Sequence, residues 1–178
     1  MAIDTKEQVY QMITGEDEGR VCRDIPEEAC NDQPGNFFKH VLSLSSTKTG
    51  DGLMDPKLVL SWLLTALGAP AYLIGFLVPV REAGSLLPQL IIAGSIRGLP
   101  YRKWAWAAGS FIQGLVVIGM AIAALSLSGA TAGWTIVGLL AVFALARSVC
   151  SISYKDVLGK TVSKSTRGTA TGTAGTIA

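Results

Sequence analysis

The sequence predicts an all-α integral membrane protein, and three observations point there. Hydrophobic residues make up 49% of the 178-residue chain against 16% charged. They gather in long uncharged runs after residue 57 instead of recurring with a surface-helix period. Charge divides unequally as well: residues 1–57 hold 11 acidic and 6 basic side chains, and residues 58–178 hold 2 acidic and 9 basic. The domain organisation expected is a polar, acidic N-terminal extension over 1–57 and a transmembrane region over 58–178.

Within the extension, short helices are expected over 5–13, 26–32 and 36–48. Gly15, the Gln33-Pro34-Gly35 turn and the Gly-containing stretch 49–52 separate them. Phe37, Phe38, Val41 and Leu42 form an apolar stripe that suits either the membrane surface or packing against other helices. No apolar core behind a basic start marks a signal peptide, so the first span must direct insertion. Cys22, Cys30 and Cys150 form no disulfide framework, and the first two are expected as thiols facing a reducing cytosol. Cys22, Cys30 and His40 match none of the close-paired zinc spacings, so no metal or cofactor is expected.

Span one is expected over about 58–80, an uncharged run whose Gly68, Pro70, Gly75 and Pro79 lipid-embedded neighbours can accommodate. Arg81 and Glu82 then form the 1–2 loop, and span two follows over about 83–99. Its apolar part is short, which leaves a re-entrant hairpin as the alternative. Spans three and four, about 104–127 and 131–154, are joined by an uncharged turn too short for anything but an antiparallel hairpin. Trp104, Trp106 and Trp134 mark headgroup levels. The start of a fifth helix is expected from 168, and the C-terminus is taken as a truncation.

Orientation follows from loop charge. Arg97, Arg102 and Lys103 precede span three, and Lys155, Lys160, Lys164 and Arg167 follow span four. Only Arg81 falls in the opposite set of loops. The N-terminus and both basic segments are therefore expected in the cytoplasm, in a multi-pass protein of the plasma (inner) membrane. The basic residues punctuate apolar runs and make no aromatic-interleaved face, which argues against nucleic acid.

No catalytic constellation is visible: one histidine, no Ser-His-Asp set, no phosphate-cradling loop. An enzyme is not expected. Arg147 stands out as the only charge between Lys103 and Lys155, about two turns inside span four. It suits a solute contact or a gating ion pair, or equally an arginine snorkelling to the interface. Gln89, Gln113 and Tyr72 could line a pathway, although each alone is more often a helix–helix hydrogen bond.

The segment Gly94-Ser-Ile-Arg-Gly-Leu-Pro-Tyr-Arg102-Lys103 resembles the 2–3 loop signature of the major facilitator superfamily. Gly98 occupies the position where that signature has an aspartate. The segment Thr161-Val-Ser-Lys-Ser-Thr-Arg167-Gly168-Thr-Ala-Thr-Gly172 is similar to that family's entry to helix five, and its Gly168 and Gly172 suit a close helix contact. The resemblance implies the first four transmembrane helices of a six-helix half. It also implies secondary active transport of a small solute by alternating access, with the lipid bilayer, the solute and missing C-terminal helices of the same protein as partners. No acidic residue lies within the four expected spans, so a coupling proton would sit at Glu82 or Asp156 near span ends, or beyond this chain. The alternative is a non-transporting membrane anchor that presents residues 1–57 as a binding or sensory module.

Overall fold

The computed structural model describes residues 5–15, 24–97 and 102–178, with backbone alone at 87, 89–97 and 102. Among the described residues the fold is all-α. Its helices are α1 (Thr5–Thr14), α2 (Glu27–Asn31), α3 (Gln33–Leu53), α4 (Val59–Ala66), α5 (Ala71–Arg97), α6 (Arg102–Ser126), α7 (Gly129–Thr161) and α8 (Lys164–Ile177). The chain forms two compact units, one of residues 53–155 and one of residues 1–52 with 156–178. The extension alone is therefore not a unit, because the C-terminal residues fold with it.

The apolar unit departs from the expected spans at one place, and the cause is local. Helix α4 stops at Ala66: Gly68 takes φ +71, its N–H bonds Thr65 O at 3.1 Å, and the Ala69 N–H bonds Leu64 O at 2.9 Å. This is a glycine-terminated cap with a proline close behind, a strong stop signal for a helix. The expected span over 58–80 is thus two helices. Eight residues of α4 rise only about 12 Å. Conversely, the chain does not turn at Arg81 and Glu82. Helix α5 runs straight through them for 27 residues, about 40 Å. Val80-Arg-Glu-Ala83 offers no residue for a tight reversal, so charge alone marks no loop here.

Three long helices build this unit. A Cβ placed on Gly133 of α7 would lie 2.6 Å from Leu73 of α5, and one on Gly84 of α5 would lie 2.8 Å from the Cβ of Ala144. The equal steps make α5 and α7 parallel. Gly109 of α6 would meet the Cys150 sulfur at 2.6 Å and Gly119 would meet Leu139 at 3.6 Å, so α6 runs antiparallel to α7. Leu60, Leu64, Leu73, Leu77, Val116, Met120, Ile136, Leu140 and Phe143 fill the centre.

Helices α6 and α7 are long and apolar enough to cross a membrane. The outward face of α6 is itself apolar: Phe111 is 67% exposed, Ile118 58% and Leu125 89%. A water-facing helix normally carries polar residues there. Trp104 and Trp134 are exposed near helix starts, whereas Trp106 packs edge-on against Tyr154 at 5.5 Å.

The other unit is held by Tyr10, Phe37, Val41, Ala170 and Ala174. Helix α3 begins at Gln33, so the expected break before it falls at Asp32, and it continues through Gly50 and Gly52, where the second expected break does not occur. Pro34 sits in the first turn, where its missing N–H costs nothing. Thr47 and Thr49 hydroxyls bond the carbonyls of Ser43 and Ser45. Of the expected apolar stripe, Phe37 and Val41 are buried but Leu42 is 71% exposed. Helix α8 packs through Thr166, Ala170 and Ala174, spaced by four. Gly168 and Gly172 face open space, which corrects the expected glycine contact. Cys30, expected as a thiol, is disulfide-bonded, and Cys150 is the free thiol among the described residues. A bridge depends on local chain geometry, which reasoning from redox compartment does not see. Cys22 and residues 98–101, with Gly98 of the 2–3 loop signature, lie outside the described residues.

Candidate functional site

A polar cleft interrupts the apolar unit. Arg81, Glu82 and Ser85 of α5 line it with Arg147 and Ser151 of α7, around about 250 Å³. The continuity of α5 puts charges there. Glu82 lies eleven residues from the start of α5, about 17 Å along its axis, and Arg147 lies eighteen residues into α7, about 27 Å. The parallel register brings both into one stretch of the bundle.

Neighbouring groups fix the arginine of α5. Arg81 Nη1 donates to Met54 O at 3.2 Å, and its guanidinium carbon sits 5.1 Å from the centre of the Phe143 ring, a cation–π distance. Ser85 Oγ donates back to Glu82 O at 3.0 Å, a bond within α5. Asp55, next to Met54 in sequence, is engaged by the turn ahead of α4, accepting from the N–H groups of Lys57 and Leu58 at 2.9 and 2.8 Å. Farther along α7, the Ser148 and Ser153 hydroxyls are fully buried with no partner among the described residues. Each unused buried hydroxyl costs about 1–3 kcal/mol.

Of the residues the sequence singles out, Arg147 and Glu82 line this cleft among the described residues. Gln113 Nε2 instead donates to Cys150 Sγ at 3.0 Å and Gly109 O at 3.4 Å, tying α6 to α7. Tyr72, 56% exposed, sits at the start of α5 with its ring 6.3 Å from Trp134. The side chains of Gln89 and Arg102 lie outside the described residues, Gly94 is in α5, and Lys103 is exposed at the start of α6. Arg167 closes the end of α7: Nε donates to Val162 O at 2.8 Å, and Nη2 donates to Gly159 O at 2.7 Å and Asp24 at 3.3 Å. Gly168 begins the open face of α8. Sequence reasoning missed Arg81, Ser85 and Ser151, and set Glu82 at a span end instead of within a helix. The missing signal was the cap at Leu67–Pro70, which shifts the helix and moves two charges from a loop to mid-helix.

The second unit has its own polar centre. Gln33 Nε2 donates to the hydroxyls of Tyr10 at 2.6 Å and of Ser163 and Thr166 at 3.1 Å each, and all four residues are buried. His40 Nε2 meets Thr161 Oγ1 at 2.8 Å, and burial lowers its pKa. No group of three metal-ligating side chains occurs among the described residues, and the bridged Cys30 cannot offer a thiolate.

Protein-family models, curated proteins and solved structures give no match to this chain.

Proposed function

We propose that this chain supplies helices to a secondary active transporter of a small solute, of the major facilitator type its basic segments resemble. One observation carries the reading: the charged cleft between α5 and α7 in an otherwise apolar bundle. Ionisable side chains amid lipid-facing helices cost at least about 2.5 kcal/mol each, and they persist where they pair or meet water and a solute. The exposed apolar face of α6 supports placement in a bilayer. Alternating access would expose the cleft first to one side and then to the other.

The orientation we infer puts the start of α6 and the end of α7 in the cytoplasm. Lys103, Lys155 and Lys160 lie at those ends, while the turn at Leu127 and Ser128 is uncharged. The disulfide at Cys30 points the other way, since such bonds rarely persist in a reducing cytosol.

The test is uptake by proteoliposomes holding the complete gene product, under an imposed proton gradient and with a panel of neutral, cationic and anionic solutes. Accumulation abolished by a protonophore supports the reading. No solute accumulated above empty liposomes sinks it in favour of a membrane-anchored binding protein.

A further inference from the structure

We propose that the cleft binds a small soluble oxyanion, a carboxylate or a phosphate, between Arg81 and Arg147. Two guanidinium groups face one carboxylate there. Helix α4 carries no charge, and Asp55 is engaged by the N–H groups of the turn ahead of α4. Among the described residues that line it, the cleft carries an excess of one positive charge in surroundings that screen poorly. A guanidinium offers planar, forked donors matched to the two oxygens of a carboxylate or phosphate.

The geometry fits that ligand in three respects. The Met54 carbonyl and the Phe143 ring hold Arg81 in place, so little side-chain freedom is lost when an anion docks. Ser151, on the face of α7 shared with Arg147, adds a hydroxyl to the lining. Size sets the class. A volume of about 250 Å³ equals roughly eight waters at ~30 Å³ each, room for a short mono- or dicarboxylate and not for a lipid with its chains. Glu82 subtracts one charge and so favours a monoanion. The inference deepens the transport reading and rests on it only for the ligand being a carried solute.

The experiment measures thermal stabilisation of the complete gene product in neutral detergent by sodium acetate, succinate and phosphate. Each is compared with sodium chloride at equal ionic strength. At least one oxyanion should raise the melting temperature above the chloride value. Arg147→Gln should weaken its apparent affinity by about tenfold or more, equivalent to ~1.4 kcal/mol. Glu82→Gln, which removes the opposing charge, should tighten it several-fold. A change in fold alone would move the baseline of both variants but not the anion response in opposite directions.

The proposal is overturned if no oxyanion exceeds chloride, if both variants respond like the parent, or if only phosphatidylglycerol stabilises. Uptake of a neutral or cationic solute without oxyanion binding would leave transport standing and remove this site. Oxyanion binding lost in Arg147→Gln, without uptake of anything, would keep the site and remove transport.

Discussion

Gly84→Ala probes the contact that sets the width of the cleft. The new methyl would lie 2.8 Å from the Cβ of Ala144, an atom with no rotamer to escape into, and 3.9 Å from Ala141 O. Carbon atoms prefer about 3.5–4.0 Å, so α5 and α7 must separate by about 1 Å at this level. Such overpacking costs about 1–3 kcal/mol. Removing a helical glycine returns about 1 kcal/mol, so the net effect is a loss of about 0–2 kcal/mol. Gly75→Ala on the same helix meets nothing within 4 Å and should show only the gain. The two variants should therefore differ by about 1–3 kcal/mol, or roughly 2–4 °C of melting temperature per kcal/mol. Thermal unfolding of the purified protein in detergent, followed by a thiol-reactive dye, measures it. Ala144→Gly in the Gly84→Ala background should restore the loss, because it removes the clashing atom. Equal melting temperatures for Gly84→Ala and Gly75→Ala, or no rescue by Ala144→Gly, would refute the parallel packing of α5 on α7.

Three further outcomes concern the other unit. Gln33→Leu removes the donor shared by the Tyr10, Ser163 and Thr166 hydroxyls, while Ser163 and Thr166 keep their bond to each other, and should destabilise by about 1–3 kcal/mol, read as faster hydrogen exchange in α1 and α8. His40 has a folded pKa below its ordinary value of 6.5 because burial disfavours the charged ring, so its contribution is fully present above 6.5. As pH falls through 6.5 and then through the lower folded value, the unfolded chain binds a proton the folded one resists, and stability is lost. Limited proteolysis between pH 7.5 and 5 should show this acid loosening in the parent and less of it in His40→Gln. Arg167→Ala removes donors to Val162 O and Gly159 O and should cost about 1–2 kcal/mol, whereas Asp24→Asn, which keeps an acceptor oxygen, should cost well under 1, as partly exposed ion pairs do. Equal losses in a melting assay would reverse that assignment.

The hairpin of α6 and α7 was legible in the sequence because two long uncharged runs flank a turn too short for any other connection. The region before it was misread for a specific reason. Leu67-Gly-Ala-Pro70 is a stop signal that soluble-protein rules recognise at once, and allowance for lipid set it aside. Once α4 ends there, Arg81 and Glu82 have no loop to occupy, and the cleft follows. Arg147 was visible as an isolated charge, but its partners were not, because parallel register between α5 and α7 is a tertiary fact. Likewise, no periodicity reveals that Gln33 meets Tyr10, Ser163 and Thr166 from three separate segments.

Whether α6 and α7 cross a bilayer is tested most directly by cysteine accessibility. Ser128→Cys at the turn and Lys160→Cys at the end of α7 would be placed singly in a chain with Cys22, Cys30 and Cys150 replaced by alanine. Intact cells would be treated with a membrane-impermeant maleimide. The account predicts labelling of Cys at 128 from outside, and of Cys at 160 only after permeabilisation. Labelling of both positions from the same side would contradict it.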